Sequence, residues 1–112
     1  MAVFVSNIVI EQGFDFDSTF QLEDTVTNDY LNLSGYTIES QLRKTYSSST
    51  AVSFASTIVN ASQGSIRISL DSTVTSDIKE GRYVYDVKAT KANGTVLKIV
   101  EGSALVRPGV TR

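Results

Sequence analysis

The chain has 112 residues and a mass of 12.2 kDa, enough for one domain whose folding hides roughly 65% of the surface an unfolded chain exposes. Its 10 Lys and Arg are scattered among 12 Asp and Glu for a net charge of -2, which argues against a nucleic-acid surface, and no apolar run approaches a membrane span. The absence of Cys and His removes disulfides, thiolate metal sites and the usual bases and activated nucleophiles.

Period-two alternation runs nearly throughout, and the helical period is nearly absent. The first segment, "MAVFVSNIVIEQG", lacks the basic region and cleavage site of a signal peptide and reads as a strand from Val3 to Ile10. With no tag at either end, the chain from Met1 to Arg112 reads as a complete small protein. "FDFDSTFQL" puts Phe14, Phe16, Phe20 and Leu22 on one face and Asp15, Asp17, Thr19 and Gln21 on the other, a half-buried strand. "LEDTVTNDYLNLSG", Leu22 to Gly35, is the longest irregular stretch and the candidate interaction loop, with Asp24, Asn28, Asp29 and Tyr30 as its contact residues.

"YTIESQLRK" places Tyr36, Ile38 and Leu42 opposite Thr37, Glu39, Gln41 and Arg43, and the Ser47 to Thr50 tract reads as a hairpin tip. "AVSFASTIV" groups Val52, Phe54 and Ile58. After a turn opened by Gly64, "GSIRISL" groups Ile66, Ile68 and Leu70. "DSTVTSDIKEG" breaks the alternation and predicts one helical turn, capped by Asp71 or Ser72, with Val74 and Ile78 four apart and Gly81 ending it. In "RYVYDVKAT" Tyr83, Tyr85, Val87 and Ala89 share a face. Asn93 and Gly94 suit a type I′ turn, so residues 82 to 100 form a hairpin whose return strand changes phase at Glu101 and Gly102, as at a bulge. About seven strands with one helical turn predict an all-β, immunoglobulin-like antiparallel sandwich over residues 1–112.

Few groups offer chemistry. Asp15 and Asp17 project from one strand face and could serve glycoside chemistry or a hard cation, but the flanking alternation makes them a solvent face. Asp24, Asn28 and Asp29 could line a calcium site, at a spacing that matches no established loop. Tyr83 and Tyr85 beside Gly81 form either an aromatic platform or a structural pin of the tyrosine-corner kind, and the pin is favoured. Asn32, Asn60 and Asn93 each begin an Asn-x-Ser/Thr match, a pattern that a Ser- and Thr-rich chain generates by chance. No catalytic residue, metal or cofactor is expected.

The order "LSGYTIESQLRK", a Ser-rich hairpin, "GSIRISLDSTVTSDIKEGRYVYDVKAT", then "NGTVLKIVEGSALVRPGVTR" resembles small structural proteins of tailed bacteriophages. It is similar to the immunoglobulin-like N-terminal domain of phage baseplate upper proteins, on the residues Leu33 to Gly35, Gly81 to Val87 and Asn93 to Gly102. The resemblance spans residues 10 to 112 and implies a virion component, assembled in the host cytoplasm, that contacts other virion proteins; open strand edges would let it form a homo-oligomer, and its charge and hydropathy leave no nucleic-acid or membrane partner expected. Baseplate proteins continue into further domains, whereas this chain stops at Arg112, which favours a stand-alone accessory or decoration protein. Contacts would come from sheet edges, the Val3 to Ile10 strand and the C-terminal "VRPGVTR". The alternative is a carbohydrate-binding adhesion module using Tyr30, Tyr36 or the Asp24 to Asp29 loop.

Overall fold

The computed structural model describes residues 4–24 and 29–110. In chain order the strands are β1 (Phe4–Val5), β2 (Ile8–Glu11), β3 (Phe16–Gln21), β4 (Glu23–Asp24), β5 (Asp29–Tyr30), β6 (Thr37–Arg43), β7 (Val52–Ser53) and β8 (Ala55–Asn60). A 3-10 turn (Ala61–Gln63) leads to β9 (Ser65–Leu70). The helical turn α1 (Ser72–Thr75) then precedes β10 (Gly81–Thr90) and β11 (Val96–Arg107). One sheet has the order β1-β11-β10-β6-β7, with β2 also on β11, and it faces a second sheet of order β3-β9-β8. The result is an all-β sandwich of immunoglobulin-like order, in which the chain crosses between sheets from β7 to β8 and from β9 to β10. β1 and β2 run parallel to β11, and the remaining pairs are antiparallel.

Alternation accounts for the core. Phe20, Leu42, Ile66, Ile68, Leu70, Tyr85, Val87 and Ala89 are buried, while Asp17, Thr19, Gln21, Glu39 and Lys88 between them are exposed. Phe54 sits where the chain changes sheets. Its N–H still donates to Ser40 O of β6 at 3.0 Å, and its ring lies 6.0 Å from Phe16 and 6.1 Å from Tyr85, tying the two layers. Each such aromatic pair adds about 0.5–1.5 kcal/mol beyond its buried area. Phe14, expected in this face, is 43% exposed, because β3 begins only at Phe16 and the Phe14 ring turns toward Gly109.

Several local expectations are corrected. Gly94 N donates to Lys91 O and Lys91 N donates to Thr95 O, so the turn centres on Ala92 and Asn93 with Gly94 (φ 92°) in the left-handed position. This is a three-residue loop, not a type I′ turn on Asn93 and Gly94. The β10–β11 register shifts at Val87/Lys88, which skips Ile99, so the bulge lies before Glu101 and Gly102. The extra residue puts both Ile99 and Val100 inside.

At the helical turn, Asp71 holds the N-cap position but makes no side-chain cap; Asp15 Oδ1 accepts from Ser72 N at 2.8 Å instead. Thr75, not Val74, anchors the turn: fully buried, its hydroxyl donates to Phe14 O at 2.8 Å and accepts from Gly13 N at 3.2 Å. Gly81 does not end α1, which closes at Ser76 in a right-handed conformation; it opens β10 with φ 143°. The N-terminal strand is interrupted at Ser6 and Asn7, and Val3 lies outside the described residues.

Candidate interaction surfaces

The candidate loop turns out to be framed by a two-strand pair. Glu23 faces Tyr30 and Asp24 faces Asp29 across β4 and β5, and Leu31 N donates to Leu22 O at 3.0 Å. Leu22, Leu31 and Leu33 are buried beneath this pair, which fixes its base on the core. Asp29 Oδ1 accepts from Tyr30 N at 2.8 Å, a local turn bond, and Tyr30 is 44% exposed. Asn28 lies outside the described residues, and only the backbone of Asp24 is described. Tyr36, the other aromatic of the glycan reading, is half-buried against the core.

Tyr83 and Tyr85 both pin backbone. Tyr83 OH donates to Lys79 O at 2.6 Å, four residues back, the geometry of a tyrosine corner. Its ring carries Lys44 Nζ at 4.8 Å from the centroid and forms one wall of a cleft of ≈ 390 Å³ at this end of the sandwich, with Leu42, Arg43, Ile78 and Glu80. Two of the cleft's cations are engaged within the chain: Arg43 donates to Ser48 O at 2.6 Å, and Lys44 rests on the ring. Tyr85 OH donates to Ser6 O at 2.6 Å, across 79 residues of chain, and burial pushes its phenol above the ordinary value of 10.0.

That second pin works because Tyr85 pairs with Gly102. With no side chain at Gly102, the tyrosine reaches over it to the Ser6 carbonyl, and the same gap lets β1 pass close to β11. A Cβ at Gly102 would overlap the Ser6 carbonyl oxygen and lie 2.7 Å from its carbon. Ser6 N donates to Glu101 O at 2.9 Å, and Asn7 Oδ1 accepts from Ser103 N at 3.1 Å, so the break between β1 and β2 is itself hydrogen-bonded. Fixed in this way, the β1–β2 edge presents Phe4, Val5 and Val9 at 43%, 69% and 47% exposure, with Val110 exposed beyond the end of β11. Phe4, Val5 and Val9 lie in the Val3 to Ile10 segment that the sequence named as a contact strand, and the structure picks out which of its side chains are exposed. An exposed apolar strip along an unpaired strand edge can take up a neighbouring chain.

The remaining candidates serve the fold. Asp15 caps α1, and Asp17 pairs with Arg67 at 3.3 Å on the open face of the β3-β9-β8 sheet. Among the described residues no group of three or more Asp and Glu converges as a metal site would require. Each Asn of the three glycosylation-like matches uses Oδ1 to accept from the residue two ahead: Asn32 from Ser34 N, Asn60 from the Ser62 hydroxyl, Asn93 from Thr95 N. Asn followed two residues on by Ser or Thr is here a turn device.

No family model matches this chain, and no curated protein is similar enough in sequence to match. Solved structures do resemble it. An internalin-like protein of Listeria monocytogenes matches 94% of this chain and 28% of its own length at 21% identity, with a TM-score of 0.50. The SrpA adhesin of Streptococcus sanguinis matches 90% of this chain and 54% of its own length at 13% identity, with a TM-score of 0.52. The chain thus spans roughly a quarter to a half of these larger proteins, and at such identities the likeness is one of fold alone.

Proposed function

We propose that this chain is a non-catalytic assembly module of a tailed-phage particle that binds other virion proteins through its β1–β2 edge. The observation that carries the reading is the apolar strip of Phe4, Val5 and Val9 on a strand paired on one side only among the described residues. Past the end of β11, Val110 is exposed, and the buried Gly109 lies against the Gln12 carbonyl just beyond β2. The sequence resemblance to phage structural proteins supplies the class of partner. The test is the composition of purified particles made from the genome that encodes the chain. The protein should be found in them at a fixed copy number, and Val5→Asp with Val9→Asp should leave a folded protein that no longer incorporates. Particles of full composition without the chain would refute the reading.

Tyr30 favours a second reading. Its exposed ring beside Asp29, on a hairpin seated on the core, suits stacking on a sugar, and the same fold occurs in an adhesin. Reproducible glycan-array binding that is lost in Tyr30→Ala and kept in Val9→Asp would move the function there.

A further inference from the structure

We propose that a second copy of this chain adds to the edge of β8, joining two β3-β9-β8 sheets into one continuous sheet. The proposal goes beyond the reading above, because β8 lies on the flank opposite β1–β2: Phe4 packs on Phe20 of β3 at 5.9 Å, whereas β8 is joined to β6 through Ser40 and Ser56, 2.6 Å apart. Among the described residues β8 is paired on one side only, to β9.

An open strand edge exposes unpaired N–H and C=O groups, and proteins blunt such edges with lysine, inward charges, proline or bulges. The β3 edge is guarded by Asp17, ion-paired to Arg67, with Asp15 just before the strand. The β8 edge is not. From Thr45 to Ile66 the sequence contains no charged residue and no proline, a stretch that covers β7, β8 and both flanking turns. Its one irregularity is the bulge at Val59, which sits at the end of the strand and leaves Ala55 to Ile58 in regular register.

Neutrality makes the edge compatible with itself. A twofold axis through Thr57 sets Thr57 against its own copy, Ser56 against Ile58, and Ala55 against Val59. The exposed set (Ala55, Thr57, Val59) then falls on one face, and the half-buried set (Ser56, Ile58) on the other. Thr–Thr and β-branched pairs of this kind are favourable across antiparallel strands. The nearest charge on that face, Arg67, would stand three strand spacings from its copy, about 14 Å, beyond the roughly 8 Å screening length, and it is already paired to Asp17. Five residues a side bury less than the ~1,200–2,000 Å² of a stable complex, so the contact is weak between free molecules and effective where copies are held side by side.

The absence of cysteine makes the test clean. Thr57 and Thr19 are both exposed and both sit opposite Arg67, on its two sides. Under mild oxidation of concentrated protein, Thr57→Cys should form disulfide-linked dimers many-fold faster than Thr19→Cys, because directly opposed positions bring Cβ atoms within reach of a disulfide. Adding Val59→Lys should abolish that advantage, and adding Ala55→Glu as well should restore it, since the two face each other only in the stated register. Val9→Asp should leave it unchanged, which separates this contact from the β1–β2 surface. Equal rates for Thr57→Cys and Thr19→Cys, or an advantage that survives Val59→Lys, overturns the proposal.

Discussion

Replacing Gly102 by alanine is expected to destabilise the protein far more than its ordinary backbone conformation suggests. The added methyl would meet the Ser6 carbonyl, and the obstructing atoms are backbone on both sides, so no side-chain rotation relieves the overlap. β1 must move away from β11. That motion breaks the Ser6–Glu101, Tyr85–Ser6 and Ser103–Asn7 hydrogen bonds, about 0.5–1.5 kcal/mol each, and loosens the Phe4–Phe20 edge contact, worth about 0.5–1.5 kcal/mol. β2 should stay, since Ile8 and Ile10 are buried and its four pairs with β11 lie beyond the clash. The loss is therefore about 3 kcal/mol, or ~10 °C in Tm for a domain of this size. Thermal melts followed by far-UV circular dichroism give the total, and hydrogen exchange at the Ser6 amide locates it. Gly94→Ala is the control: nothing lies within 4 Å of its added methyl, and only the left-handed φ costs, about 1 kcal/mol. A Tm for Gly102→Ala within about 2 °C of the parent, with Ser6 still protected, would refute the account of how β1 is held.

Tyr85→Phe removes the bond to Ser6 O and should cost about 1–2 kcal/mol in a urea titration at neutral pH. The same residue sets an alkaline dependence. A phenol whose folded pKa is raised contributes stability that is complete below its unfolded value of 10.0 and lost as pH climbs through the folded value, so stability should fall above pH 10.0 less steeply in Tyr85→Phe than in the parent. Asp15→Ala should weaken the α1 cap by about 1 kcal/mol, whereas Asp71→Ala, at the nominal cap position, should change stability by less than about 0.5 kcal/mol. Gly64→Ala combines a left-handed φ of 64° with backbone oxygens of Leu22 and Leu31 at 2.6 and 2.8 Å, so it should cost about 3 kcal/mol and detach the β4–β5 pair, seen as new exchange at Leu31.

What could be read from the residues was whatever depends on period. Ile66, Ile68 and Leu70 declare a buried face because every second side chain returns to the same side, and no tertiary detail alters that. Glycine and asparagine signals were ambiguous because one residue type answers several demands. Asn93-Gly94 fits a two-residue turn as well as a three-residue loop, and the choice was settled at Thr95, whose carbonyl closes on Lys91. Gly102 interrupts a strand as a bulge would, yet its role is to let β1 approach. The usable clue was its register opposite Tyr85, visible only once the true bulge at Ile99 is placed. Ser40 in a core-facing position gave no sign of its partner, since Ser56 lies on the other sheet.

The same limit governs the surfaces. A loop rich in Asp and Asn advertises polar contacts, but the Asp29 and Asn32 side chains satisfy their own turns. Edges advertise nothing in a linear sequence, because whether a strand is central or flanking depends on pairing across the whole fold. Once the order is known, the two flanks of the sandwich differ in kind. One is apolar, with Val5 and Val9 outward and Phe4 partly exposed over Phe20, and suits a partner that buries hydrophobic area; the other is neutral and polar along β8 and suits main-chain pairing with its own copy. A module with two unlike edges on opposite sides can join its copies through one while holding a second protein with the other, and Val9→Asp and Val59→Lys should interrupt these contacts independently.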